Sequence, residues 1–224
     1  MQTDGVDEHD ERCCFGEWAA ADARRARSGK RVRGISRDLV EALDRVGLKD
    51  RTVLDLGCGA GGVAIESVAR GAARATGIDL SDVAVREARA LSADSGTGGR
   101  TSFHTGDASV ASLERHDVVL LNRVFCCYPS VEGLLDNSIP AAGSVYAFTV
   151  PPSSGWRGVV ARALVLTENA WCRVRGSRFR AFVHDVRRIE DALRSTGFSQ
   201  AVSKRRPAWD LRVYVRGAEV AVPT

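Results

Sequence analysis

Three aspartates stand at or near the ends of three apolar runs: Asp55 in "TVLDL", Asp79 in "GIDL" and Asp107 in "TGDAS". Between the first two lies "GCGAGG", Gly57 to Gly62, where a strand hands over to a helix. Glycine at such a turn lets the backbone take positive φ and approach a ligand with no Cβ in the way. The turn reads as the floor of a ligand site. Its spacing satisfies both G-x-G-x-G and G-x-G-x-x-G, so the glycines alone leave a nicotinamide enzyme and an S-adenosylmethionine enzyme both open.

The acids narrow the choice. Asp55 lies two residues before Gly57, where a carboxylate would repel a pyrophosphate and welcome an ammonium group. Asp79 follows Gly57 by 22 residues, a position from which two carboxylate oxygens can hold two ribose hydroxyls. Asp107 can accept a hydrogen bond from an exocyclic adenine amine while Ala108 offers its backbone N–H to the ring. Such a site favours a cationic nucleoside.

These residues need a scaffold, and the 224-residue chain, 44% hydrophobic and 27% charged, is long enough for one sizeable core. Residues 1–14 read as a disordered acidic lead, poor in apolar content. Residues 15–50 read as helical, with Ser36 as an N-cap and Gly47 as a stop. From "TVLDL" at 52–56, apolar runs at 74–80, 101–107, 117–123 and 144–150 alternate with helical stretches. Regular alternation predicts a doubly wound, mostly parallel seven-stranded α/β sheet, Rossmann-like, with helices on both faces. Residues 51–152 form its ligand-binding core. Residues 153–183 form an insert opening on a helical stripe from Trp156 to Trp171, and residues 184–224 supply a helix and a closing antiparallel hairpin around Pro207-Ala208.

Composition also excludes classes. A net charge of +4, with basic residues scattered apart from Lys204-Arg205-Arg206, does not indicate a nucleic-acid protein, and that triplet reads as a solvated basic turn. No apolar run of about 18 residues exists to span a bilayer, and the N-terminus lacks the basic-then-apolar order of a signal peptide, so a cytoplasmic location is expected. Of the six cysteines, Cys13-Cys14 and Cys126-Cys127 are adjacent pairs. Neighbours on a strand face opposite ways, so such a pair is not expected to chelate one zinc, and no metal is called for.

With these motifs in place, the chain resembles the class I S-adenosylmethionine-dependent methyltransferases. "VLDLGCGAGG" matches their glycine motif, "GIDLS" their ribose acid, "GDAS" their adenine contact and "DVVLLNRVFCCYP" the segment after strand four. The resemblance implies S-adenosyl-L-methionine as cofactor, with Asp55, Gly57, Cys58, Gly59 and Gly61 at the methionine part, Asp79 and Leu80 at the ribose, Asp107 and Ala108 at the adenine, and Asn122 to Val124 at the methyl end. A weaker likeness extends downstream: Tyr128-Pro129, "FTVPP", a long helix, "FVH" and "ALRSTGF" are similar to the magnesium-protoporphyrin O-methyltransferase group, which methylates a carboxylate. That group tends to carry His-Tyr-Pro where this chain has "FCCYP".

Methyl transfer rests on in-line positioning and desolvation, and a base is needed only for an acceptor that keeps its proton at pH 7. His184 is the candidate base and Tyr128 a candidate hydrogen-bond partner of the acceptor. His9, His104 and His116 read as incidental. Recognition falls to residues 153–183, where Trp156, Trp171, Phe179 and Phe182 read either as acceptor walls or as core, and Arg157, Arg173, Arg175, Arg178 and Arg180 either as anion contacts or as a wet face. Phe15, Trp18 and Lys30 to Arg33 cover the cofactor in that family's layout. The leading expectation is O-methylation of a small molecule, anionic or aromatic. Alternatives are thiol or metalloid methylation through the cysteine pairs, cofactor binding without catalysis, and a nicotinamide oxidoreductase; nucleic-acid methylation ranks last because no Asn-Pro-Pro-aromatic segment follows strand four.

Overall fold

The computed structural model describes residues 21–27, 31–177 and 179–217. The acidic lead, Phe15, Trp18, Cys13, Cys14, Lys30 and Arg178 lie outside the described residues. A helical segment at 21–27 (α1) precedes α2 (Gly34–Arg45), and then strands and helices alternate: β1 (Thr52–Leu56), α3 (Gly62–Ala69), β2 (Arg74–Asp79), α4 (Asp82–Asp94), β3 (Thr101–Thr105) and β4 (His116–Asn122). A 3-10 turn (Phe125–Cys127), α5 (Glu132–Ala141) and β5 (Ala142–Val150) follow. The chain closes with α6 (Gly155–Val174), α7 (Val186–Ser195), β6 (Phe198–Arg205) and β7 (Asp210–Arg216).

The strands form one seven-stranded sheet in the order β3-β2-β1-β4-β5-β7-β6. Strands β1 to β5 pair parallel, and β7 runs antiparallel between β5 and β6. Alternation along each strand gives two cores. Val53, Val118, Leu120, Val145 and Val213 pack under α2, α3 and α4, whereas Leu54, Leu56, Leu121, Phe148 and Tyr214 pack under α5 and α7. Strands buried on both faces carry near-continuous apolar runs, and that is why "VVLL" and "VYAFTV" read so plainly. The strand order reverses between β1 and β4, and the crevice outside their carboxyl ends is where sheets of this kind take ligands.

Three sequence expectations change in the structure. Ser36 is no N-cap: Arg33 holds that position in extended conformation, while Ser36 is buried in the first turn of α2. The basic turn is no free solvated patch, because Lys204 Nζ reaches Asp38 Oδ1 at 2.7 Å and Arg206 Nε reaches Asp38 Oδ2 at 2.6 Å. Asp38 is itself buried, so the two cations supply the charge its carboxylate needs and fasten the hairpin to α2. Finally, the stripe on α6 is not core: Trp156 is 77% exposed and Trp171 57%. The hairpin forms as expected, its turn closed by Arg206 N–H on the Trp209 carbonyl at 2.8 Å.

Candidate active site

The glycine turn is pinned before it meets any ligand. Gly57 N–H and Cys58 N–H both donate to the Ile78 carbonyl, at 2.7 and 3.1 Å, tying the end of β1 to β2. Gly57 has a φ of 69°, and a Cβ there would collide with Val124. Gly59, at a φ of 54°, has nothing within 4 Å of where a Cβ would stand, so its bare backbone faces open space. Asp79 braces this arrangement, Oδ2 accepting from Gly59 N–H at 2.7 Å and Oδ1 from Ser81 N–H at 2.9 Å. Burial pushes its carboxyl up, against the pull of the Ser81 and Gly59 amides.

Behind the turn, Asp55 is only 1% exposed, and neither carboxylate oxygen has a hydrogen-bond partner among the described residues. Burial first, then the charge of Asp79, pushes its carboxyl up to about 8. A buried carboxyl left without a partner is costly unless a cation or a donor arrives. This favours the cationic cofactor expected for the site.

A cavity of about 480 Å³ opens in front of the turn, lined by Gly57, Gly59, Asp79, Leu80, Ala108 and Asn122 among others. A second cavity of about 430 Å³ shares Gly57, Gly59, Asn122 and Trp209 with it and runs past Cys58, Ser36 and Arg31. Most of the expected cofactor residues thus border one or other space. Asp55, Gly61 and Asp107 border neither.

Asn122 is held at both ends, donating from Nδ2 to Ser36 Oγ at 2.9 Å and accepting from Thr149 Oγ1 at 3.0 Å. Asp107 is likewise engaged: Oδ1 accepts from Tyr128 Oη at 2.8 Å, Ser109 N at 2.8 Å and Ser109 Oγ at 2.7 Å, which leaves Oδ2 for an amine. Tyr128 lines the first cavity, but burial and the adjacent Asp107 carboxylate push its phenol well above the usual range. It can donate and cannot act as a base. His184 borders neither cavity; its Nε2 sits 2.8 Å from the Tyr128 carbonyl oxygen, and its ring stacks on Phe182 at 5.9 Å.

Cys126 and Cys127 lie on a 3-10 turn and not on a strand, so the expectation that the two side chains diverge is reversed. Both line the first cavity, with Sγ atoms 3.9 Å apart. Of the insert's candidate walls, Phe179 enters the cavity lining, whereas Trp156 and Trp171 face outward and Arg157 pairs with Asp210 at 2.8 Å. Arg175 lies over the Trp171 ring at 4.5 Å. The insert is tied to the turn after β4 by Phe182 N–H on the Cys126 carbonyl at 2.8 Å.

Asp22, Arg25 and Trp209 line both cavities and were not singled out from sequence; Arg123 lines both as well. Trp209 was findable: an antiparallel β7 places Asp210 beside Val150, at the carboxyl end of β5, so the preceding residue must sit at the ligand edge. Arg123 falls in the stretch Asn122 to Val124 that the resemblance assigns to the methyl end. Its positive φ of 63° becomes visible only in the structure.

Residues 53–138 match a family model described as a methyltransferase domain. A ribosomal protein L11 methyltransferase from Edwardsiella ictaluri is 31% identical over 144 residues, covering 60% of this chain and 47% of the relative. One from Haemophilus influenzae is 28% identical over 143 residues, covering 61% of this chain and 48% of the relative. The chain thus spans about half the length of these curated relatives. Among solved structures, magnesium protoporphyrin IX methyltransferase from Synechocystis PCC 6803 with bound SAM superposes with a TM-score of 0.68 at 20% identity, covering 96% of this chain and all of that one (100%). An O-methyltransferase family 2 protein from Planctomyces limnophilus in complex with apigenin gives a TM-score of 0.69 at 15% identity, covering 97% of this chain and 64% of that one.

The sheet order, with its antiparallel final hairpin, is a Rossmann-like methyltransferase fold. Residues 53–138 thus carry the match to a methyltransferase domain, on a fold shared with magnesium protoporphyrin IX methyltransferase, solved with bound SAM.

Proposed function

We propose that the chain methylates an oxygen of a small, anionic acceptor, most simply a carboxylate, using S-adenosylmethionine. Asp55 supports the donor side, since an unpartnered buried carboxylate behind the glycine turn suits the ammonium of the methionine part. Asp79 offers one further lone pair on each oxygen to the ribose hydroxyls, and Gly59 gives the nucleoside an unobstructed backbone. When bound, the cofactor supplies an electrophilic methyl on a sulfonium, itself a good leaving group.

The acceptor reading is carried by what the cavity wall lacks: no histidine lines it among the described residues, and its tyrosine is held protonated. Such a wall suits an acceptor that arrives already ionised. Arg25 and Arg123 stand at the rim, both beside Asp22, where their donors can reach an anionic group, and Val124, Phe179 and Trp209 supply apolar surface against its scaffold. Positioning and exclusion of water are then the chain's contribution to rate. Residues 153–183 form the acceptor side in this reading, and the helix and hairpin that follow close it.

Labelled S-adenosylmethionine added with the protein to a cell extract tests the proposal by mass spectrometry. A carboxylic acid gaining one methyl is the expected product. Label confined to protein or RNA, or found on nitrogen or sulfur, would overturn it.

A further inference from the structure

Cys126 and Cys127 stand where neither cofactor binding nor carboxylate methylation requires a thiol. Their 3-10 turn aims both side chains the same way, with the Sγ atoms 3.9 Å apart and both directed at the Arg123 carbonyl, at 3.4 and 3.7 Å. Two thiolates bonded at about 2.3 Å to one pyramidal centre, its angles near about 95°, stand about 3.4 Å apart. The observed 3.9 Å gap is within a small side-chain rotation of that separation.

A disulfide fits less well. Adjacent Cα atoms are about 3.8 Å apart, below the roughly 4.4 to 6.8 Å that unstrained disulfides span. A structural zinc site fits no better, because no group of three or more His, Cys, Asp or Glu able to hold a metal occurs among the described residues. What two sulfurs alone can satisfy is a thiophilic centre whose remaining valence is already filled. A trivalent arsenic bearing one organic group is such a centre.

We propose that Cys126 and Cys127 form a two-thiol capture site for monosubstituted trivalent arsenicals in the wall of the methyl-transfer cavity. Two As–O bonds of the arsonous acid break and two As–S bonds form. Each thiol proton leaves with a hydroxide as water, and no oxidation state changes. The Cys127 hydrogen bond, and after it Arg123, hold the Cys126 thiol below its ordinary range against burial while Cys127 is pushed up, so one sulfur of the pair is the readier attacker. The second bond is then intramolecular, and chelation strengthens the whole by about 100-fold or more. Because Asp79 and Gly57 line the same cavity, an occupied dithiol stands in the way of the cofactor or the acceptor. This inference does not rest on the acceptor proposed above.

The test uses phenylarsine oxide on the full chain carrying Cys13→Ser and Cys14→Ser, which removes the other adjacent pair. One phenylarsenic adduct per chain is expected, with loss of two titratable thiols. The adduct should map to the peptide holding residues 126 and 127, resist excess glutathione and yield to 2,3-dimercaptopropanol. In protein that melts like the parent, Cys126→Ser or Cys127→Ser should weaken retention about 100-fold or more. S-adenosylhomocysteine affinity should fall in the adduct. An adduct that maps elsewhere, survives in the Cys126→Ser/Cys127→Ser double variant, or is stripped by glutathione from the intact pair overturns the proposal.

Discussion

Gly59 donates its amide proton to Asp79 Oδ2 at 2.7 Å, so the turn after β1 and the tip of β2 form a single braced unit. Removing the acid therefore has two effects. Asp79→Ala leaves the Gly59 and Ser81 amides without that acceptor and should cost about 2 kcal/mol of stability. It also removes the oxygens offered to ribose hydroxyls, so S-adenosylhomocysteine affinity should fall more than 100-fold. Titration calorimetry and urea unfolding on the same preparation separate the two. Unchanged affinity would detach Asp79 from the cofactor.

Asp55 links cofactor binding to pH. Its carboxyl is pushed up to about 8, so from about pH 4 to pH 8 the folded chain keeps a proton that the unfolded chain has lost. Its contribution to stability therefore falls by about 1.4 kcal/mol per pH unit as pH rises through that window, and is flat above it. A cationic ligand beside it would lower the pKa and expel the proton. Calorimetry at pH 7 in buffers of different ionisation enthalpy should show close to one proton released on binding S-adenosylhomocysteine. Asp55→Asn should abolish that release and weaken binding at least tenfold.

How much of this was legible in the sequence follows from the range over which each signal acts. The glycine turn and the acids at Asp55, Asp79 and Asp107 are local features of parallel strands; of these, Gly57, Gly59 and Asp79 line the cavity at the carboxyl ends of the strands, and Asp55 and Asp107 do not. Asp38 was missed because its partners, Lys204 and Arg206, come from the far end of the chain, and nothing local marks a buried acid awaiting two cations. The outward face of α6 was hidden for a related reason: a helical apolar period reports a face, and only tertiary placement says whether that face turns inward. Only the direction of the two cysteine side chains was misjudged, because the turn after β4 breaks strand alternation within three residues.

The Asp38 lock should be visible in acid. Hydrogen bonds from Arg206 and Lys204, against the cost of burial, hold its carboxyl down at about 2. Its contribution is thus fully present above about pH 4 and is lost as pH falls towards 2. Because Lys204 and Arg206 are partly exposed, removing the acid frees them to water, and Asp38→Asn should cost about 2 kcal/mol, less than a wholly buried pair. Urea unfolding at pH 7 and pH 3 checks this: the difference between parent and variant should shrink at the lower pH. An equal difference at both would mean the carboxylate charge is not what holds the hairpin.

His184 offers a decision between base and strut. A carbonyl oxygen only accepts, so at 2.8 Å from the Tyr128 carbonyl Nε2 must carry the proton, and the ring is held outside both cavities. In that position it fixes the return of the insert against the turn that carries Tyr128 and the two cysteines. His184→Gln keeps a donor and should leave kcat within about threefold, whereas His184→Ala should loosen residues 179–185 and raise KM for the acceptor more than it lowers kcat. The pH profile of kcat separates the roles. A strut leaves its shape unchanged in His184→Gln, while a base would take one limb of the profile with it.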